Sequence, residues 1–196
     1  MLTIRDPRTL GLTLAASTVA VVWIAATWAG PVGGAFAFWL IACCACERMW
    51  VRLARGEATL SMASCANFAA LLLLPASQAM AVTALSSVVG EMLFMRKPPR
   101  RVAFNAAQSA IAVGAAAWMF DALGGDRTRL MEMIGTMQWA PLIGAALVYF
   151  LVNSGAVSLA VSISDRMSLT TAWKENFGNA YECISSGALF SLGVLL

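Results

Sequence analysis

Long apolar runs separated by short polar or charged gaps dominate the chain. The runs lie at 10–28, 32–46, 62–74, 76–95, 102–123, 141–163 and 180–196. About 20 helical residues cross the ~30 Å hydrocarbon core of a bilayer. The pattern therefore predicts an all-α fold, a polytopic transmembrane helix bundle with six to seven membrane segments in a single integral-membrane domain, 1–196.

The third run is short and ends at Pro75. Runs 62–74 and 76–95 form either a short helix followed by a long one, or a re-entrant element followed by a helix. Charge does not separate these arrangements, since the loops on both sides of the pair are basic. Backbone that does not span is tolerated at membrane depth where protein or water covers it, so we expect a cavity here.

Two amphipathic stretches predict interfacial helices. The first, at about 128–137, places Leu130, Met131, Ile134 and Met137 at helical spacing. The second, at about 168–179, begins a stripe in which Leu169, Trp173, Phe177 and Tyr181 recur every four residues.

Positive charge falls in alternate gaps between the runs. Eleven of the 13 Lys and Arg residues share this placement: Arg5, Arg8, Arg48, Arg52, Arg55, Arg96, Lys97, Arg100, Arg101, Arg166 and Lys174. The positive-inside rule then predicts a multi-pass protein of the bacterial inner (cytoplasmic) membrane with a cytoplasmic N-terminus. The expected interface anchors are four tryptophans and one basic loop: Trp28, Trp50, Trp139, Trp173, Arg96, Lys97, Arg100 and Arg101.

Composition narrows the function classes. The chain is 60% hydrophobic and 12% charged, against about 25% charged in soluble domains. The net charge of +3 lies in loops, where it faces an anionic leaflet, so the lipid bilayer is the expected partner and nucleic acid is not.

The side chains give little basis for a cofactor or a reaction. The chain has no histidine, so no His is available for haem or chlorophyll ligation, and no cofactor is predicted. Cys43, Cys44 and Cys46 match a zinc site poorly, since they lie on an apolar helix without a fourth ligand. No nucleophile–base pair or paired carboxylates appear, so we expect no metal, no catalytic residue and no enzymatic activity.

Polar residues inside the runs are the candidate site residues, because such residues are costly in lipid. They are Asn105, Gln108, Asn153, Asn67, Gln78 and Glu91. Asn105, Gln108 and Asn153 either bind a small uncharged or zwitterionic ligand between helices, or hold the helices together at roughly 0.6–2 kcal/mol each, and the second interpretation is favoured. Asn67 and Gln78 flank Pro75 and either line a cavity there or cap the broken backbone. Glu91 is either a proton- or cation-coupling site or pairs with the basic loop at 96–101, and the pairing is favoured.

Four stretches carry a family resemblance: LLLLPASQAM (71–80), RRVAFNAAQSAIAV (100–113), PLIGAALVYFLVNSGAVSLAVSIS (141–164) and AWKENF (172–177). They resemble the N-terminal membrane sensor region of bacterial HD-GYP and GGDEF signalling proteins, which is similar in layout to vitamin-uptake membrane proteins. The resemblance implies a ligand-sensing domain with a pocket between helices, and it covers Asn105, Gln108 and Asn153. A membrane domain of 196 residues leaves no room for an output domain, so we expect none within it, and counting spans predicts that the C-terminus lies outside.

Three functions follow as hypotheses. The first is a non-catalytic, sensor-like membrane domain that binds a ligand and acts with partner proteins. The second is a structural accessory subunit of a multi-subunit membrane complex, such as a pigment-bearing or photosynthetic one. The third is a small-molecule uptake component, which would need partner subunits because the chain carries no nucleotide-binding motif.

Overall fold

The chain folds as a bundle of helices, which confirms the predicted all-α class. The computed structural model describes residues 7–52, 59–178 and 180–195. Its helices are α1 (Pro7–Thr27), α2 (Gly34–Arg48), α3 (Ala63–Leu73), α4 (Ala76–Val89), α5 (Pro99–Ala122), α6 (Leu130–Gly135), α7 (Ala140–Asp165), α8 (Leu169–Phe177) and α9 (Ala180–Leu195). A π-helical segment, Gly90–Phe94, continues α4, and a 3₁₀ turn, Arg127–Arg129, precedes α6.

A small hairpin interrupts the loop predicted between α2 and α3. Strands β1 (Trp50–Arg52) and β2 (Thr59–Ser61) pair antiparallel, with Val51 opposite Leu60. The backbone N–H of Met62 also donates to the Met49 carbonyl at 3.3 Å, so the hairpin closes directly onto the ends of α2 and α3.

Four helices in the described part of the chain are long and apolar enough to cross a membrane: Pro7–Thr27, Ala76–Phe94, Pro99–Ala122 and Ala140–Asp165. Polarity is arranged as expected for a bilayer. Large apolar side chains such as Val21, Ile41 and Leu147 are more than half exposed, while Glu47 and Glu91 are each only 7% exposed. Apolar groups facing outward and polar groups facing inward are the reverse of a soluble fold.

Helix α3 is the short run that ends at Pro75, and it is enclosed by protein. Nine of its residues are buried, and α2, α4, α5 and α9 surround it. Aromatic rings join it to α7 and α9, since Phe68 lies 6.4 Å from Tyr149 and 5.0 Å from Phe190. The structure therefore has a short helix covered by neighbouring helices before the long α4.

Helix α5 is central and carries the candidate site. It packs against α1, α4 and α7, and small residues allow the close approach. At Gly114, an added Cβ would lie 2.7 Å from the Met80 sulfur. Beyond α7, helix α8 folds back along it, with Trp173 beside Ser154 and Phe177 beside Phe150. The predicted interfacial position of α8 stays a prediction.

Candidate functional site: a buried polar cluster beside a cavity

A buried carboxylate, Glu91, lies in the π-helical segment that ends α4. Its Oε1 atom accepts hydrogen bonds from Lys97 Nζ at 2.5 Å and from Asn105 Nδ2 at 2.7 Å. Its Oε2 atom is buried and has no hydrogen-bond partner among the described residues. Glu91 pairs with the basic loop as the sequence predicts, but inside the bundle and not toward water. π-Helical turns often mark functional sites.

The loop after the π segment brings Lys97 back over Glu91. Arg96 adopts a left-handed conformation with φ of 50°, which reverses the chain. The backbone N–H of Lys97 then donates to the Glu91 carbonyl at 3.0 Å. Pro98 and Pro99 follow, and their fixed φ angles start α5. Two consecutive prolines therefore set both the end of the loop and the position of Asn105 two turns later.

A second carboxylate, Glu47 of α2, lies against the same segment. An added Cβ on Gly90 would lie 2.7 Å from Glu47 Cβ, so glycine is what allows this approach. Ser87 Oγ lies 3.5 Å from Glu47 Oε1. Glu47 also interacts electrostatically with Glu91 and Lys97. We call Glu47, Ser87, Glu91, Lys97 and Asn105 the polar cluster.

A cavity of about 250 Å³ adjoins the polar cluster. Helices α1, α5 and α7 and the loop before α5 form its walls: Thr9, Leu12, Thr13, Lys97, Pro98, Arg100, Arg101, Phe104, Asn105, Val157, Ala160 and Val161. Lys97 and Asn105 belong to both the cavity wall and the polar cluster. A group bound in the cavity would therefore reach the two donors that hold Glu91.

One side of the cavity is basic. Lys97, Arg100 and Arg101 line it, and Arg101 Nε is buried without an acceptor among the described residues. The N-terminus of α5 lies on the same side, and its N-cap is Pro98, which has no side chain able to accept a hydrogen bond. Helix N-termini carry partial positive charge, so this side of the cavity suits an anion.

The other predicted site residues lie elsewhere in the bundle. Gln108, one turn beyond Asn105, donates to Ser109 Oγ at 3.0 Å. Asn153 is half-buried on α7, and Asn67 is buried on α3 beside the Tyr149 hydroxyl. Gln78 donates to the carbonyls of Ala29 at 2.8 Å and Pro31 at 3.3 Å, so it ties α4 to the turn between α1 and α2.

The predicted anchors differ in their surroundings. Trp28 and Trp139 are each 42% exposed, and their position at a membrane interface stays a prediction. Trp173 is half-buried, and its Nε1 donates to Ser154 Oγ at 3.2 Å. Trp50 starts β1, and its side chain lies outside the described residues. Arg96 and Arg100 are exposed, whereas Lys97 and Arg101 are half-buried at the cavity.

Sequence reasoning missed three parts of this site. In the sequence pattern, Glu47 lies just outside the apolar run 32–46, Arg101 counts only as an anchor, and Thr9 and Thr13 give no signal. A signal for Glu47 was present, since Gly90 precedes Glu91 inside an apolar run and marks a close approach. In the part of the chain that the structure describes, no group of three or more His, Cys, Asp or Glu residues is placed to hold a metal ion.

Comparison with protein-family models shows the family of the chain. The MASE9 family model matches residues 32–194. The chain belongs to the MASE9 family. This is a family of membrane-associated sensor domains, and the match includes every helix except α1 along with the whole polar cluster. Comparison with curated proteins and with solved structures gives no match.

Proposed function

We propose that this MASE9 domain is a non-catalytic ligand sensor of the bacterial inner membrane, with its N-terminus and basic loops in the cytoplasm and six to seven helices in the bilayer. Family membership, the four helices of spanning length and the alternating basic gaps support this proposal. The sensor reads a ligand held in the cavity between α1, α5 and α7.

One observation carries the proposal: Lys97 and Asn105 line the cavity and both bond to the same oxygen of buried Glu91. A ligand that takes a hydrogen bond from either donor leaves Glu91 less well satisfied. Burying a carboxylate without hydrogen-bond partners costs free energy. Loss of a donor to Glu91 would therefore favour a change in the conformation of the π segment and of the neighbouring Glu47. A ligand shifts such an equilibrium by as much as its affinities for the two states differ.

The output belongs to partner proteins in this proposal. HD-GYP and GGDEF enzymes are the candidates, because the sensor regions of such proteins are what the sequence resembles. The alternatives are a structural accessory subunit of a membrane complex and an uptake component. A native pull-down separates the sensor from the accessory role by the identity of the proteins recovered. An HD-GYP or GGDEF enzyme would favour the sensor, and stoichiometric recovery with a multi-subunit complex that contains neither would favour the accessory role.

Ligand retention tests the sensor proposal. The protein is purified from membranes in mild detergent, and the molecules that co-purify are extracted and identified by mass spectrometry. Four forms are compared: wild type, Asn105→Ala, Val157→Phe, and the control Asn176→Ala. Val157→Phe adds bulk to the cavity wall at a residue that is not part of the polar cluster. Asn176 is exposed on α8 and donates to the Ala172 carbonyl, away from the cavity.

The proposal expects one compound near equimolar amounts in wild type and in Asn176→Ala, and strongly depleted in Asn105→Ala and Val157→Phe. Thermal unfolding of each variant shows whether the loss reflects binding or folding. Equal retention in all four forms would contradict the proposal, as would a wild-type protein that carries no compound above the detergent background.

A further inference from the structure

We infer that the ligand of this cavity is a membrane amphiphile, with an oxyanionic head on the basic side and an apolar body between α1 and α7. The inference rests on the proposed function, because it names the ligand class of the same cavity. It differs from the small uncharged or zwitterionic ligand that the amides alone suggest.

Charge around the cavity favours an anion over a zwitterion. None of the lining residues, all within the described chain, is acidic, and Lys97, Arg100 and Arg101 are basic. A cationic group in the cavity would therefore be repelled by these three residues, and the wall offers it no carboxylate to pair with. Glu91 is not among the residues that line the cavity, and its Oε1 atom already accepts hydrogen bonds from Lys97 and Asn105.

Arg101 supplies a donor for the head. Arg101 Nε is buried without an acceptor in the described structure, and Lys97 and Arg100 line the same side of the cavity. A guanidinium beside other cations suits a carboxylate or a phosphate. An oxyanion placed here also competes with Glu91 for Lys97, which couples occupancy to the polar cluster.

The remaining walls favour an amphiphile over a free inorganic anion. Leu12, Phe104, Val157, Ala160 and Val161 line the rest of the cavity. Its volume of about 250 Å³ is slightly below the roughly 300–1,000 Å³ of sites that enclose a whole small molecule. The cavity therefore holds a head and the first part of an apolar chain, and the rest of the chain extends beyond it.

Helix α1 offers the route to the bilayer. Of the side chains on α1, which the structure describes from end to end, only Ala20 is buried. Its outer surface carries exposed Leu14, Val19 and Val22, which is the surface that lipid chains contact. An acyl chain leaving the cavity beside α1 stays in an apolar environment.

Lipid titration of the whole chain tests the inference. The protein in uncharged detergent micelles is titrated with phosphatidylglycerol or phosphatidylcholine, and bound lipid is counted by native mass spectrometry. Three variants are compared with wild type: Arg101→Gln, the cavity-filling Val157→Phe, and the control Arg129→Gln. Arg129 is exposed and pairs with Glu132 in the α5–α7 connection, so its substitution removes the same charge at a distance from the cavity.

The inference expects phosphatidylglycerol to bind more tightly than phosphatidylcholine. Arg101→Gln should weaken the binding of phosphatidylglycerol about fivefold, as expected for one cation at a lipid head group. Val157→Phe should abolish the preference for phosphatidylglycerol over phosphatidylcholine. Arg129→Gln changes nothing. Equal affinity for the two lipids would overturn the inference, and so would equal losses in Arg101→Gln and Arg129→Gln.

A separate titration with inorganic phosphate distinguishes a free anion from a lipid head. Displacement of phosphatidylglycerol by phosphate at similar concentration would overturn the amphiphile, because the apolar walls would then add nothing. The sensor proposal is tested separately, by the ligand that co-purifies with the protein. A co-purified ligand that is uncharged and depends on Asn105 would leave the sensor standing while refuting the anionic amphiphile.

Discussion

Arg127 supplies a hydrogen bond that the backbone cannot make. Residue 75 is proline and has no N–H, so the Leu71 carbonyl in the last turn of α3 lacks its usual donor. Arg127 Nε donates to that carbonyl at 3.1 Å, and the same guanidinium pairs with Asp121 and lies 5.2 Å from the Phe120 ring. Two helices, α3 and α5, and the turn that carries Arg127 are therefore joined through one side chain.

Arg127→Ala is expected to lower stability by about 1.5–3 kcal/mol, the range for hydrogen bonds to charged groups. Thermal unfolding in detergent micelles measures the change. Arg129→Ala is the matched control, because Arg129 forms an exposed ion pair with Glu132, and exposed pairs contribute little. Equal effects of the two substitutions would show that Arg127 is not the connection described.

Asp126 should give stability a weak pH dependence. The Thr128 hydroxyl donates to its carboxylate at 2.7 Å and the Thr128 backbone N–H donates at 2.8 Å, which lowers the pKa of Asp126 below its ordinary value of 3.8. A lowered pKa stabilises the folded state above the ordinary value, and the effect is lost as pH falls through the lowered one. Wild type should exceed Asp126→Asn in melting temperature at neutral pH and converge with it in acid.

Residue identities allowed part of the site to be predicted. Glu91 and the cations at 96–101 are neighbours in sequence, so their pairing followed from the pattern. The contact between Glu47 and Gly90 joins residues 43 positions apart, and no local periodicity records it. The partners of Gln78 could not be predicted from the sequence. They are the backbone carbonyls of Ala29 and Pro31, which lie in a turn far from Gln78 along the chain.

At the scale of elements, the π-helical segment sets the geometry of the polar cluster. It depends on Gly90, where a Cβ would meet Glu47 Cβ at 2.7 Å and Cγ at 2.9 Å. Helices were predicted near their observed positions because apolar run length and proline are local signals. The π turn and the β1–β2 hairpin were missed, since a wider turn of helix leaves the apolar pattern nearly unchanged.

Gly90→Ala is expected to destabilise the protein by about 1–3 kcal/mol, as for other overpacked sites. Gly155→Ala is the control, since nothing lies within 4 Å of the added Cβ in the interior of α7. That substitution should be neutral or stabilising by up to about 1 kcal/mol through helix propensity. Thermal unfolding in micelles compares them, and a neutral Gly90→Ala would refute the close approach of Glu47.

A double-mutant cycle on Glu91 and Lys97 tests their coupling. Lys97→Met leaves a buried carboxylate with one donor fewer and should cost about 1–3 kcal/mol. Adding Glu91→Gln removes the charge that needed the partner, so the double variant should lose less than the sum of the singles. Additive losses would mean that the ion pair contributes nothing to the bundle.

At the scale of the whole molecule, the chain has the polarity of a membrane protein and a site at the end of the bundle where its basic loop lies. The positive-inside pattern predicts that this loop is cytoplasmic. Fusing a compartment reporter into the 96–101 loop should give a cytoplasmic signal, and one in the 124–129 turn should give the opposite signal. A periplasmic signal from the basic loop would reverse the proposed orientation.

The class of the molecule could be predicted from sequence because hydropathy and charge are summed over long segments. The cavity could not, because its walls come from α1, α5 and α7 and from a loop, and their meeting depends on how small residues let helices pack. The proposed preference for an anion could not be predicted either, because it rests on Lys97 and Arg101 in a cavity wall that contains no acidic residue among those described.

Hydrogen exchange in nanodiscs shows whether an occupied cavity alters the Glu91 ion pair. Backbone exchange at residues 90–101 is compared in phosphatidylcholine discs with and without phosphatidylglycerol, for wild type and Arg101→Gln. We expect phosphatidylglycerol to change exchange at 90–101 in wild type, and Arg101→Gln to abolish the change while residues 127–135 stay constant. Identical exchange with and without phosphatidylglycerol, or an equal change in both proteins, would show that the cavity and the ion pair are not coupled.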